Sequence, residues 1–380
     1  MAFAIEPWTG FHKSSASSLD SEIGQDHSVV FFPTYACRRE EDTWDVFIHG
    51  WIFHPEINSR LRTLTLRCIL QLLRMERDQI RQILFNRRTQ GFIVANAKGK
   101  TITIRIGDRV HRLRRSVSNG HFQSVLRLTE EELKLWQDEA GATIFGYKQF
   151  PFQALTHPED ERSFIGNVHQ IDRTGYSVIS DIDDTIKVSD VHDRRALLAN
   201  TFLRDFEAVP GMPACYRRIA KWGAAIHYVS CSPWQLYEPL SEFFHREGFP
   251  PGPFHLRSLP GKTTIWKSLF TSRTVGKRRT IERILRTFPE RKFLLIGDSG
   301  EKDPYLYAHL ARRYPEQIAM ISIRKVAIDE KKDELLPRIF RKIPGDRWHF
   351  FQTAQELETR LLPILEAAHA NKPPSTAITC

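Results

Sequence analysis

No apolar run in this 380-residue chain approaches the ~20 residues that a membrane-spanning helix requires. The chain opens Met-Ala-Phe-Ala-Ile-Glu-Pro, so Glu6 and Pro7 interrupt it before the apolar core of a secretory signal is built. Cysteine is scarce and scattered: five residues, at positions 37, 68, 215, 231 and 380, odd in number and without Cys-x-x-Cys spacing. That argues against a zinc site and suits a reducing cytoplasm. Cys380 is the last residue, the wrong place for a prenylation box. No internal repeat is visible.

What the chain has is ordinary in amount and unusual in placement. Hydrophobic residues make up 41% and charged residues 26%, as in soluble globular proteins, and the length suits two domains. The net charge is +10, yet Arg60 to Arg115 alone carries fifteen Lys and Arg against three acids, a surplus of twelve. A segment of that kind implies a polyanionic partner, either nucleic acid or an anionic lipid surface.

Residues 1–27 are Ser-rich and acidic and read as a mobile arm. Residues 28–165 read as a basic, β-rich module. Trp44–Phe53 has a strand pattern, and Thr101–Ile106 alternates at period two. Arg60–Arg88 has the apolar spacing of a long, arginine-covered helix. Asn119-Gly120 signals a hairpin between 115–118 and 121–126, and Thr129-Glu-Glu-Glu132 reads as a capping box. From about Arg173 strands and helices alternate: strands at 176–180, 225–229, 292–296, 318–323 and 348–351, helices at 213–222, 234–247, 277–288, 303–313 and 353–367. This grammar predicts an α/β, doubly wound parallel-sheet domain over 170–367, with ligands at the carboxyl ends of its strands. Residues 368–380 read as a disordered tail.

Those strand ends carry the chemistry. The first ends in Asp181-Ile-Asp183-Asp184-Thr185, the second in Ser230-Cys-Ser-Pro233, and a later one in Gly297-Asp298-Ser-Gly-Glu-Lys-Asp303. Three carboxylates within four positions repel unless a cation sits among them. A calcium loop would want a glycine at its sixth position and further ligands in step, and Ile186 and Val188 argue against it. A solvated acidic turn and a nucleophilic carboxylate with a magnesium ion remain, and the convergence of three strand ends favours the second. Ser232-Pro233 has the form of an N-cap followed by proline at the first helical position, a favourable place for phosphate. Asp303 before Pro304 has the form of a helix N-cap. Cys231 has no adjacent activating group and is not read as a nucleophile.

Asp181-Ile-Asp-Asp-Thr-Ile-Lys-Val188, Asn200-Thr-Phe-Leu203, Val209-Pro-Gly-Met212, Tyr228-Val-Ser-Cys-Ser-Pro-Trp-Gln-Leu-Tyr237 and Gly297-Asp-Ser-Gly-Glu-Lys-Asp-Pro304 resemble the actin-patch-protein type of phosphatidate phosphatase, within the haloacid dehalogenase superfamily. The resemblance spans about 170–365 and is much weaker before it. It implies a haloacid-dehalogenase-like fold and a magnesium-dependent phosphomonoesterase converting phosphatidate to diacylglycerol. Asp181 would be the nucleophile, forming an aspartyl-phosphate, and Asp183 the acid and then the base. Asp181, Asp298 and the Asp183 carbonyl would ligate the metal, with Asp303 near it. Thr185 would orient the loop, Ser230 would bind the phosphoryl group, and Lys277 would neutralise it, with Lys262, Arg278 and Arg279 as rivals. Asp184 is expected to be structural or solvent-facing. The apolar residues of Lys187–Phe206 would form either a lid facing acyl chains or ordinary core. The same chemistry on a lysolipid, nucleotide or nucleic-acid end is the nearest rival, and a non-catalytic membrane or RNA adaptor the next. A cytoplasmic, peripherally membrane-associated protein is the expected location.

Overall fold

The computed structural model describes residues 21–57, 79–140, 142–144, 147–191, 193–259, 274–326 and 336–370. Most of the expected Arg60–Arg88 helix, Lys262, the first twenty residues and the end of the tail lie outside them.

The first half is a ten-stranded mixed sheet. Its strands are β1 (Ser28–Phe32), β2 (Thr34–Glu40), β3 (Thr43–Ile57), β4 (Val94–Asn96), β5 (Thr103–Ile106), β6 (Arg109–Arg112), β7 (His121–Thr129), β8 (Ala142–Ile144), β9 (Tyr147–Leu155) and β10 (Ile165–Ile171). The order is β1-β3-β2-β10-β9-β5-β6, with β4 and β7 also on β3 and β8 on β9. β3 is the spine, fifteen residues long. Its even positions (Trp44, Val46, Ile48, Ile52) enter a core private to this half. Its odd positions Phe47 and Trp51 face the second half. That alternation is the period-two consequence of the pleat.

Helix α1 (Gln79–Ile93) leads directly into β4, and helix α2 (Glu130–Ala140) packs on β3, β7 and β9. The capping box forms as read: the Glu132 carboxylate accepts from the Thr129 N–H at 2.7 Å, and Thr129 Oγ1 accepts from the Glu132 N–H at 3.2 Å. The hairpin differs. The turn at Asn119-Gly120 is tight, but 115–118 is not a strand, because Ser116 bonds the backbones of Gly99 and Lys100 and donates its hydroxyl to the Ala97 carbonyl. The β5–β6 hairpin instead turns at Gly107-Asp108, with Gly107 at φ 51°. Residues 21–27 are not a loose arm either: Ile23 and His27 are buried, and Glu22 donates its N–H to Thr101.

The second half is a six-stranded sheet in which every pairing is parallel. Its strands are β11 (Tyr176–Ser180), β12 (Ala225–Pro233), β13 (Phe254–Arg257), β14 (Lys292–Asp298), β15 (Ile318–Arg324) and β16 (Trp348–Phe351), in the order β13-β12-β11-β14-β15-β16. β13 is an addition to the predicted set; four residues between prolines give too little pattern to read. The helices are α3 (Arg194–Phe202), α4 (Met212–Lys221), α5 (Tyr237–Glu247), α6 (Thr274–Thr287), α7 (Asp303–Arg313) and α8 (Ala354–Ala370). Helix α8 runs to Ala370, past the expected start of the tail at 368. Helix α4 packs on α8, and α6 packs on α7. Right-handed crossovers put the first pair on one face and the second on the other, since the chain winds outward from β11 in both directions. The reversal falls between β11 and β14, where ligands of such sheets bind.

The two sheets share a core. Phe32 and Tyr35 from the first and Trp234 and Phe288 from the second meet ring to ring, Phe32–Trp234 at 4.0 Å and Tyr35–Phe288 at 5.4 Å between centroids. Only residues 172–175 separate β10 from β11, and β10 lies across the expected 165–170 boundary. Arg291, 3% exposed, clamps that join: it donates to the carbonyls of Asp172 (2.7 Å), Thr174 and Tyr176 and to Ser177 Oγ (2.8 Å).

On α1, Arg88 is buried rather than solvent-facing, which corrects its place on an arginine-covered surface. Its guanidinium donates to the carbonyls of Asn200, Thr201 and Arg204 and lies 3.9 Å above the Phe206 ring. Phe85 and Phe92 of the same helix pack on Phe202. The apolar side of 187–206 is therefore core against α1, not an open lid.

Candidate active site

Asp181 follows β11 directly, and its N–H donates to the Ile296 carbonyl of β14 at 2.9 Å. That bond sets the tip of β11 beside the end of β14, where Asp298 is the last strand residue. Asp181, Asp298 and Asp303 each bring a carboxylate oxygen within 4.8 Å of the others, and all three are buried. Lys277 Nζ, from the first turn of α6, bonds Asp181 Oδ1 and Asp303 Oδ1, both at 2.6 Å. Of the rivals, Arg279 is exposed and Arg278 turns toward Glu282, while Lys262 is outside the described residues. Thr185 Oγ1 reaches Asp181 Oδ2 at 3.3 Å.

Gly297 makes the crowding possible: a Cβ there would stand 2.3 Å from Asp303 Oδ2. Asp303 is the first residue of α7, and the preceding Lys302 makes no side-chain cap. Its carboxylate serves the site instead of capping the helix. Asp298 Oδ1 accepts from the Gly300 and Glu301 N–H groups at 2.6 and 2.9 Å. Asp298 Oδ2 and Asp303 Oδ2 are buried with no hydrogen-bond donor among the described residues.

The electrostatics are lopsided. Asp181, Asp298, Asp303 and Glu301 crowd about the single ammonium of Lys277, with Glu301 Oε2 4.0 Å from it. Burial, with the neighbouring carboxylates adding to it, pushes Asp181 and Asp298 well above the ordinary carboxylate range. Glu301 rises to about 7 for the same reasons, against the pull of Lys277. Burial opposes the charge on Lys277, and the acids around it more than restore its proton. Two orphaned buried oxygens and a surplus of carboxylate charge are what a hard divalent cation satisfies, so the donor set fits magnesium.

Asp183 lies in a different environment. Ser230 Oγ (2.9 Å) and Ser232 Oγ (2.8 Å) donate to its Oδ2, and Ser189 Oγ (2.8 Å) and Lys187 Nζ (2.9 Å) to its Oδ1. Burial alone would raise Asp183, but Lys187 and the hydroxyls hold it well below the ordinary range. Ser230 thus meets Asp183 here rather than standing alone at a phosphate position. Ser232 is no helix cap: β12 continues through Pro233, a 3-10 turn follows, and its hydroxyl points into the site. Cys231 is pushed up to about 12 by burial, which keeps it a thiol.

Asp184 is structural. At φ 53° it turns the loop back, and its carboxylate accepts from the N–H groups of Ser189, Asp190 and Val191 at 2.7–2.9 Å. Asn200 ties the same loop to α3 through the Ser189 carbonyl (3.1 Å) and Asp190 Oδ2 (2.8 Å). Lys187, Ser189 and Glu301 were not singled out from sequence. The only signal was position: Lys187 lies four residues after Asp183, and Glu301 three after Asp298.

Residues 176–325 match the family described as phosphatidate phosphatase APP1, catalytic domain. An uncharacterized protein of Schizosaccharomyces pombe is 32% identical over 189 residues, covering 49% of this chain and 31% of the relative. Phosphatidate phosphatase APP1 of Saccharomyces cerevisiae is 38% identical over 154 residues, covering 40% of this chain and 26% of the relative. The chain thus spans about a third or less of the length of these relatives. The matched stretch runs from β11 to the end of β15 and contains every site carboxylate described above, so this part of the chain is similar to the catalytic domain of APP1-type phosphatidate phosphatases.

Proposed function

We propose that this chain is a magnesium-dependent phosphatidate phosphatase of haloacid-dehalogenase-like fold, working through an aspartyl-phosphate. The observation that carries the reading is the meeting of Asp181, Lys277, Asp298 and Asp303 at the reversal point of a parallel sheet, with two buried carboxylate oxygens left without donors among the described residues. Asp181, Asp298 and Asp303 would hold the ion. Bound there, magnesium would neutralise phosphoryl oxygens and the surplus carboxylate charge.

Asp181 attacks phosphorus: an Oδ–P bond forms as the P–O ester bond breaks. Lys277 offsets charge on the nucleophile and on the incoming phosphate. Asp183 gives its proton to the leaving alkoxide, releasing diacylglycerol. The resting Asp183 is ionised, so the substrate has to change its state. A phosphate dianion drawing the Ser230 and Ser232 hydroxyls away removes two donors and adds negative charge, both of which raise Asp183, and Asp183 then takes its proton from solvent. In the second step Asp183 takes a proton from water as the water oxygen bonds phosphorus and the Asp181–phosphorus bond breaks. Inorganic phosphate leaves, Asp183 returns its proton to solvent as the serine hydroxyls bond it again, and both carboxylates are restored.

The basic segment 60–115 would bring this site to anionic membranes. Lys98, Arg112 and Arg115 are exposed in it, and no described helix is long and apolar enough to cross a membrane. The test is phosphate release from a panel of phosphatidate, lysophosphatidate, nucleotides and 5′-phosphorylated RNA, with and without magnesium. Phosphatidate should lead by kcat/KM and depend on the ion. Preference for a nucleotide or RNA end would replace the lipid assignment, and no release from any of them would remove the enzyme.

A further inference from the structure

A cavity of about 680 Å³ lies between the two sheets and ends against the site. Its inner end is formed by Ser230, Cys231 and Lys277, two of which bond Asp183 and Asp181. Its outer wall comes from the other half of the chain: Phe47 of β3 and Val125 of β7, which pair across the ladder. Val125 is 50% exposed, on a strand whose one partner among the described residues is β3. Phe254 and Leu256 of β13 and Ile284 of α6 face it. The volume is in the range of small-molecule sites, about 300–1,000 Å³.

The charge on the walls is one-sided. Arg114, Arg257, Lys277 and Arg283 line the cavity, and no Asp or Glu does among the described residues. Walls that mix apolar side chains with neutral polar ones (Gln123, Ser124, Thr280) and carry only basic charges suit an amphiphilic anion. The aromatic rings present are already engaged: Trp234 against Phe32, and Tyr35 against Phe47 at 4.7 Å. A nucleobase, which needs a free aromatic face to stack on, is served poorly, and aliphatic chains are served well.

We propose that this cavity receives the diacylglycerol part of the substrate, so that the first half of the chain builds one wall of the substrate site. The inference rests on the phosphatase reading and adds that specificity for the lipid is set across the two sheets. The edge of β7 then selects the alcohol while the tip of β11 handles the phosphate.

Val125→Glu places a carboxylate in an acid-free cavity from a half-exposed position that tolerates it, and Val117→Glu is the control, 57% exposed and away from the cavity. The readout is the ratio of kcat/KM for monomeric dioctanoyl phosphatidate to that for 4-nitrophenyl phosphate, in magnesium. The ratio should fall roughly tenfold or more in Val125→Glu, through KM for the lipid, and stay at the wild-type value in Val117→Glu. An unchanged ratio in Val125→Glu overturns the proposal. Calorimetric binding of dioctanoyl phosphatidate, in EDTA, separates this from the phosphatase reading. If the wild type hydrolyses neither ester, that reading falls, and the cavity stands or falls by whether Val125→Glu weakens binding by a similar factor. Equal binding by both proteins sinks it.

Discussion

Replacing Arg88 by Met tests whether the first half of the chain holds the loop from Asp183 to Asp190 in place. Methionine keeps most of the length and apolar contact of the side chain and removes the guanidinium. Three carbonyls at the end of α3 then lose their donor, and Phe206 loses the cation above it. The ion pair with Asp205 adds little, since the gap is 3.9 Å and Asp205 is 73% exposed. Burial lowers Arg88 to about 10, so it remains charged at neutral pH. A hydrogen bond to a charged group is worth about 1.5–3 kcal/mol, and two of these three carbonyls sit in the last turn, the negative end of the helix. Allowing for shared geometry on one nitrogen and for water reaching the freed carbonyls, the loss should be about 3 kcal/mol. Arg88→Lys should lose somewhat less, one ammonium being unable to reproduce a planar fork. Equilibrium urea unfolding followed by circular dichroism measures the stability, and phosphate release the activity. Activity should fall as well, because α3 holds Ser189 through Asn200, and Ser189 holds Asp183. A loss under about 1 kcal/mol with unchanged turnover would refute the reasoning, showing that α3 keeps its place without the guanidinium.

Asp181→Asn should lower kcat by more than about a hundredfold with a native circular dichroism spectrum; positioned acid–base groups alone supply roughly 10²–10⁴, so a smaller drop would rule out covalent catalysis there. Asp298→Ala should raise the magnesium concentration for half-maximal activity sharply, excess EDTA should silence the wild type, and calcium should replace magnesium poorly. Lys187→Met should destabilise the fold most near neutral pH. Asp183 is held below its unfolded value of about 3.9, so its contribution is present above that pH and is lost as pH falls further, and the gap between the two proteins should be smaller at about pH 3 than at pH 7. Lys98, Arg112 and Arg115 replaced together by Glu should weaken binding to vesicles containing phosphatidylserine in a salt-dependent way, at roughly 1 kcal/mol per residue; unaltered vesicle binding would leave the basic segment without that role.

The gathering of carboxylates at the carboxyl edge was legible because strand, motif and sheet topology are local patterns that point the same way. Val178 and Ile179 mark β11, and a tip carboxylate on a parallel strand has few places to go. Helix α7 was read to the residue at both ends, yet Asp303 was left between a cap and a place near the metal, because Asp-Pro at a helix start looks the same whether its carboxylate turns to the helix or to a lysine 26 residues earlier. Lys187 was missed for a similar reason: its partner depends on how Asp184 folds the loop back, which needs a positive φ that composition does not announce. Arg88 was read as surface because arginine usually is; only the three carbonyls supplied from α3 explain its burial. The first half was read correctly as β-rich, but its strand order, and the cavity it closes, depend on pairings between distant segments such as β2 with β10.

Arg291 gives the molecule a fixed bearing. Its guanidinium takes up two carbonyls within the short passage from β10 to β11 and one at the start of β11, so the passage is fastened to the second sheet by a buried side chain. Whatever surface grips the first sheet therefore aims Asp181 as well, at an angle set by four residues and one side chain rather than by a flexible tether.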